Sequence, residues 1–114
     1  MIFKYEIWMA LLPSLKGSHV QNGYRPVVIV SNDSANKYSP VITVVPLTSR
    51  MRKHDLVTHV ILNCECLNTT SIALCEQVMA LDKDRLSHCI GSVTSEADRE
   101  AIQRSLMCQL AIAA

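Results

Sequence analysis

Arg25-Pro26-Val27-Val28-Ile29-Val30-Ser31 is the stretch on which the fold turns. Four consecutive β-branched apolar residues leave no polar face, so the segment reads as a strand buried on both sides. Pro26 belongs at its start, where no ladder donor is missed. Upstream, Tyr5 to Leu11 mixes aromatic and branched residues and reads as a first strand. Between them Pro13 to Gly23 forms a loop, long for a strand connection, and such loops often carry function.

Downstream, Asn32-Asp33-Ser34 caps a helical turn that ends near Tyr38, and Ser39-Pro40 stops it. Val41 to Ser49 is a third strand, and Pro46 within it implies an edge or a bulge. Arg50 to Asp55 is a charged turn. Leu56 to Leu62 is a fourth strand, and Asn63 to Thr70 a polar loop. Ser71 to Leu81 is strand-like, although Ala73, Leu74, Met79 and Ala80 also suit a helix. Asp82 to Leu86 reads as one capped turn, and Cys89 to Val93 as a short last strand. Ser95 with Asp98 three residues later starts a helix in which Ala101, Ile102, Leu106 and Leu110 recur at helical spacing. The sum is mainly β with a C-terminal helix: a small barrel or sandwich with the helix packed on it.

The 114 residues, 49% hydrophobic and 18% charged, suit one globular domain, residues 1–114. No apolar run approaches the roughly 20 residues of a membrane span, and the N-terminus lacks the features of a signal peptide, so the chain is read as cytoplasmic with no membrane partner. Residues 1–60 hold seven Lys/Arg and three Asp/Glu, whereas residues 61–114 hold four and seven, within a net charge of +1. This polarity fits either an anion-binding face or a solvated acidic helix. Five cysteines, an odd number, point to reduced thiols, and Cys64-Glu65-Cys66 lacks zinc-ligand spacing. No phosphate loop, zinc motif or serine-hydrolase elbow is present.

Two positions carry candidate chemistry. Arg25, beside a glycine-containing loop at a strand mouth, suits forked hydrogen bonding to phosphate or a surface ion pair. Thr48, past the Pro46 irregularity, offers a hydroxyl to the same kind of group or simply β propensity. Spacing alone does not bring them together. Glu76, within an apolar run, needs a partner or an edge. Asp82 and Asp84 read as a cap and a solvated turn.

Several segments together resemble a known family. They are Tyr5-Glu6-Ile7-Trp8, Gly17 to Gly23, Tyr24 to Asp33, Asn36 to Pro40, Val44 to Ser49, Thr58-His59-Val60, Ser71 to Gln77, Leu81 to Leu86 and Ile90-Gly91. In this order they resemble the MazF/PemK (Kid) family, mRNA interferase toxins of bacterial toxin–antitoxin pairs. The family's usual first-strand Gly-Asp is Tyr5-Glu6 here. An acidic residue common in its Gly-Ser loop is replaced by His19, and Asn63 to Thr70 has no clear counterpart.

The resemblance implies an SH3-like barrel of the CcdB/PemK toxin type with a C-terminal helix, forming a homodimer. It implies cleavage of single-stranded mRNA at short sequences without a metal or other cofactor, and silencing by a cognate MazE-like antitoxin. Arg25 and Thr48 match the family's two catalytic positions. His19 is a candidate base, and His59 is expected to be structural or substrate-lining. Bases would then be met by Gly17, Ser18, His19 and Gln21 in the loop, by Ser49 and the Arg50 to Lys53 turn, and by Gln77. With aromatics at 4%, hydrogen bonds and phosphate contacts must outweigh stacking. Two other functions suit the same fold: a non-enzymatic gyrase poison like CcdB, and a degenerate homologue that only binds antitoxin.

Overall fold

A computed structural model of the chain describes residues 1–51 and 56–113. Seven strands and two helices follow in the order β1 (Glu6–Leu12), β2 (Gly23–Ile29), α1 (Asp33–Tyr38), β3 (Val41–Thr48), β4 (His59–Leu62), β5 (Ser71–Leu74), β6 (Met79–Asp82), β7 (Leu86–Ser92) and α2 (Glu96–Gln109). Antiparallel pairing runs β4-β5-β3-β2-β1-β7, with β6 also on β3. The mainly β architecture with a C-terminal helix is the one expected. The sheet curls around its core but stays open, since no ladder joins β7 to β4 among the described residues.

β2 is buried on both faces, as its composition requires. Val28 enters one apolar cluster with Ile7, Val45, Leu47, Leu62 and Ile102. Val27 and Ile29 enter a second with Ala10, Leu12, Ile42, Val44 and Leu81. The period-2 pleat thus divides one strand between two cores. Ile102 of α2 is fully buried in the first core, while Leu110, expected on the same stripe, is exposed at the helix end. Ser105 takes a buried place instead, donating its hydroxyl to the Val57 carbonyl at 3.2 Å.

Both prolines sit elsewhere than expected, for one reason. β2 begins at Gly23, so Pro26 is internal and pairs with Met9 of β1. The β2–β3 ladder covers only Val27↔Pro46, Val28↔Val45 and Ile29↔Val44, so on that side Pro26 misses no partner. β3 is not an edge strand: β2 lies on one side, β6 and then β5 on the other. Pro46 falls in the gap between the β6 ladder, ending at Val44, and the β5 ladder, starting at Leu47. A residue without an N–H is tolerated where no neighbour waits to accept from it.

Other boundaries shift locally. The fourth strand starts at His59 rather than Leu56. The ambiguous run from Ser71 splits into β5, a 3₁₀ turn at Cys75–Gln77 and β6. The turn at Lys83–Arg85 carries no side-chain cap, so Asp82 does not serve as one. Most of the charged turn, Arg52 to Asp55, lies outside the described residues. The caps of both helices are as expected: Asn32 accepts from the Ala35 N–H at 2.8 Å and Ser95 from the Asp98 N–H at 3.2 Å.

Tyr5 adopts φ +73°, a left-handed conformation costly for a side chain of its size. Two backbone hydrogen bonds fix it there: its N–H donates to Ile29 at 2.7 Å and its carbonyl accepts from Val93 at 2.8 Å. The Arg99 guanidinium lies 4.9 Å from the ring centroid and covers it. Gly91 is required by contact, because a Cβ there would come within 2.5 Å of the Cys66 Cβ. Among the described residues no helix is long and apolar enough to cross a membrane.

Candidate active site

Arg25 and Thr48 line the same cleft, of about 400 Å³. The register explains it. Continuing the Val27↔Pro46 pairing two residues outward sets Arg25 opposite Thr48. The ladder stops before reaching them, and the strand ends part. Arg25 pairs with Ala10 of β1, and Thr48 with Ile72 of β5. The cleft opens between, walled further by Ser49, Arg50 and the loop residues Cys66 to Thr69.

Thr48 and Arg50 also line an adjoining cleft of about 680 Å³ with His19, Gln21, His59, Glu76 and Gln77. The two spaces therefore form one groove with Thr48 at the junction. Among the residues expected to meet substrate, His19, Gln21, Ser49, Arg50 and Gln77 border it. Gly17 and Ser18 border neither cleft. They shape the loop instead: Gly17 has φ +78°, and Ser18 Oγ accepts from the Val20 N–H at 3.1 Å.

Each polar group in the groove has a definable role. Arg25 Nε donates to the Asn22 carbonyl at 2.7 Å, which leaves both terminal nitrogens for another acceptor. The Arg25 pKa is lowered, first by burial and then by the charge of Arg50. Two guanidinium groups lining one cleft favour an anion between them. Thr48 Oγ1 accepts from the Arg50 N–H at 3.2 Å, so its own hydrogen remains free to donate.

Glu76 finds the partners that an internal carboxylate needs. Its Oε1 accepts from the Thr58 hydroxyl at 3.1 Å, and its Oε2 lies 2.8 Å from His59 Nε2. The His59 side chain is only 6% exposed, and its Nδ1 is buried with no hydrogen-bond partner. With one nitrogen on Glu76 and the other enclosed, His59 forms part of the groove wall. His19 is exposed at the rim of the wider cleft, while Arg25 lies in the other.

The wall contributed by residues 66–69 escaped the sequence reading, because a polar loop of that length gives no sign of where it docks. All five cysteines are free. Burial raises the pKa of Cys64, Cys66 and Cys75, the last to about 12 with a further push from Glu76. Among the described residues no three metal-ligating side chains converge on a possible ion site.

Comparison with known proteins agrees with this architecture. Residues 4–110 match the family model described as PemK-like, MazF-like toxin of type II toxin-antitoxin system. A mycobacterial endoribonuclease solved with its cognate antitoxin superimposes with a TM-score of 0.80 at 23% identity, covering 100% of this chain and 99% of its own. The Mycobacterium tuberculosis toxin MazF-mt6 gives 0.79 at 21% identity, covering 96% and 99%. MazF from Deinococcus radiodurans gives 0.80 at 19%, covering 96% of both chains. At these identities the solved structures establish the fold, while the family match rests on nearly the whole sequence. The chain belongs to the PemK-like, MazF-like toxins of type II toxin–antitoxin systems.

Proposed function

We propose that residues 1–114 form one toxin unit, a sequence-specific endoribonuclease that cuts single-stranded mRNA without a metal. The observation that carries this reading is the meeting of Arg25 and Thr48 in one cleft, with Arg50 beside them. The 2′-hydroxyl next to the scissile linkage attacks phosphorus as its proton passes to solvent, and the 5′-oxygen leaves in line with a proton from Arg25, which solvent then restores. The products are a 2′,3′-cyclic phosphate and a 5′-hydroxyl, and no water is consumed in this step.

The free terminal nitrogens of Arg25 stabilise the charge gathering on the non-bridging oxygens, and Arg50 adds to the field. The lowered pKa makes the Arg25 guanidinium a stronger acid toward the departing 5′-oxygen. The Thr48 hydroxyl donates to the same phosphate and holds it for in-line attack. Ser49, Arg50, His19 and Gln21 border the path that flanking nucleotides take, and Gly17 and Ser18 set the shape of the loop beside it. The enzyme acts as a homodimer. A cognate antitoxin of the MazE kind, an acidic and partly disordered chain, suits its basic N-terminal half. The solved complexes of a mycobacterial endoribonuclease and of Deinococcus radiodurans MazF with antitoxins support that partner class.

The test is incubation of purified protein with RNA in EDTA, followed by sequencing of the transcript ends. The expected result is cutting at a short recurring sequence with cyclic phosphate and 5′-hydroxyl termini. Arg25→Ala and Thr48→Ala should each remove cutting with the fold intact. Equal cleavage by both variants would refute the site. Gyrase-dependent DNA breaks with no RNA cleavage would replace the nuclease by a CcdB-like poison.

A further inference from the structure

The loop between β1 and β2 meets the groove through two adjacent residues. The Gln21 N–H donates to Gln77 Oε1 at 2.7 Å, across 56 positions of sequence. The very next residue, Asn22, offers its carbonyl to Arg25 Nε at 2.7 Å. The two hydrogen bonds share the short backbone segment Gln21–Asn22. Gln77 itself is held in the 3₁₀ turn Cys75–Gln77, whose first residue is fully buried in the core. A turn anchored in the core through Cys75 is thereby linked to the carbonyl that receives the Arg25 Nε–H.

We propose that Gln77 is a positioning residue for Arg25, acting through the Gln21–Asn22 backbone. This rests on the nuclease reading above for its importance, though the linkage stands on the hydrogen bonds alone. The side-chain oxygen of Gln77 is the functional atom. It sets where the Asn22 carbonyl lies, and that carbonyl directs the two terminal nitrogens of Arg25 into the cleft. A guanidinium on a flexible stem otherwise samples many orientations, and a displacement near 1 Å can cost about 100-fold in rate. A base-reading Gln77 would use its amide N–H donors. The positioning role needs only the acceptor, and this difference separates the two.

Gln77→Ala removes the acceptor, whereas Gln77→Glu keeps one. Amide exchange at Gln21 and the exchange of the Arg25 Nε–H, both followed by NMR without RNA, read the linkage directly. Single-turnover cleavage of the RNA, and affinity for the same RNA made 2′-deoxy at the cut site so that it is not cleaved, read its consequence. In Gln77→Ala both protons should lose protection, and the cleavage rate should fall about 10- to 100-fold while affinity changes less. In Gln77→Glu protection of both protons should persist. Retained Arg25 Nε–H protection in Gln77→Ala, or equal loss of protection in Gln77→Glu, overturns the proposal. Should the parent chain cut no RNA, the nuclease reading falls, and the two exchange measurements still decide the linkage.

Discussion

Arg25 is suited to its place by shape as much as by charge. Nε is spent on the Asn22 carbonyl, and the remaining fork faces the groove. Lysine's three donors radiate from one nitrogen, which cannot hold the Asn22 carbonyl and present a planar fork to the groove, so Arg25→Lys should recover little of the activity lost in Arg25→Ala, a loss of about 100-fold or more in cleavage rate. Thr48→Ser keeps the free hydroxyl and should retain most of the rate that Thr48→Ala loses, as single-turnover assays would show. Tyr5 poses a different question, since the family's usual glycine has become a tyrosine at φ +73°. Tyr5→Ala keeps the left-handed strain and loses the ring under Arg99. Tyr5→Gly loses the ring but relieves the strain. The glycine variant should therefore be the more stable of the two by about 1–2 kcal/mol in urea denaturation.

Among the elements, α2 depends on its first turn for more than packing. Ser95→Ala removes the acceptor for the Asp98 N–H and should cost about 1 kcal/mol, read from the denaturant midpoint. The 3₁₀ turn joins core to groove: Cys75 is fully buried, Glu76 ties Thr58 and His59, and Gln77 holds the loop. Glu76→Ala leaves the enclosed His59 ring without its one partner and should destabilise by about 1–3 kcal/mol. Gly91 lets the loop that walls the cleft rest on β7. Gly91→Ala would push Cys66 away, so both stability and cleavage should suffer, by about 1–3 kcal/mol in the first case.

Over the whole molecule, two effects depend on solvent. For the proposed nuclease, phosphate contacts in the groove should make RNA affinity drop steeply as salt rises. A flat dependence between low and moderate salt would speak against a phosphate-contacting groove. Folding stability should also depend on alkaline pH through Cys75. Its folded pKa lies near 12 against an ordinary 9.0, because burial and the Glu76 charge disfavour the thiolate. Below about pH 9 both folded and unfolded chains keep the proton, and the stabilisation is complete. Between 9 and 12 only the unfolded thiol ionises, so stability declines with rising pH. Thermal melting across that range should show a shallower decline in Cys75→Ala.

Residue order alone determined much of this protein. The doubly buried run at Val27 to Ile29 dictates a central strand, Ser95 with its apolar spacing dictates the terminal helix, and the ordered segments from Tyr5 to Gly91 carry the family. Those signals are local, set by side-chain type and period, and so they survive in one dimension. The tertiary structure decided what depends on register and docking. It placed both prolines where ladders end, set Arg25 across from Thr48, brought residues 66–69 to the cleft, enclosed His59 against Glu76 and joined Gln77 to the loop 56 positions away. Each of these needs two distant segments to meet at a fixed offset. That offset comes from the packing of the whole sheet, which no window of sequence contains.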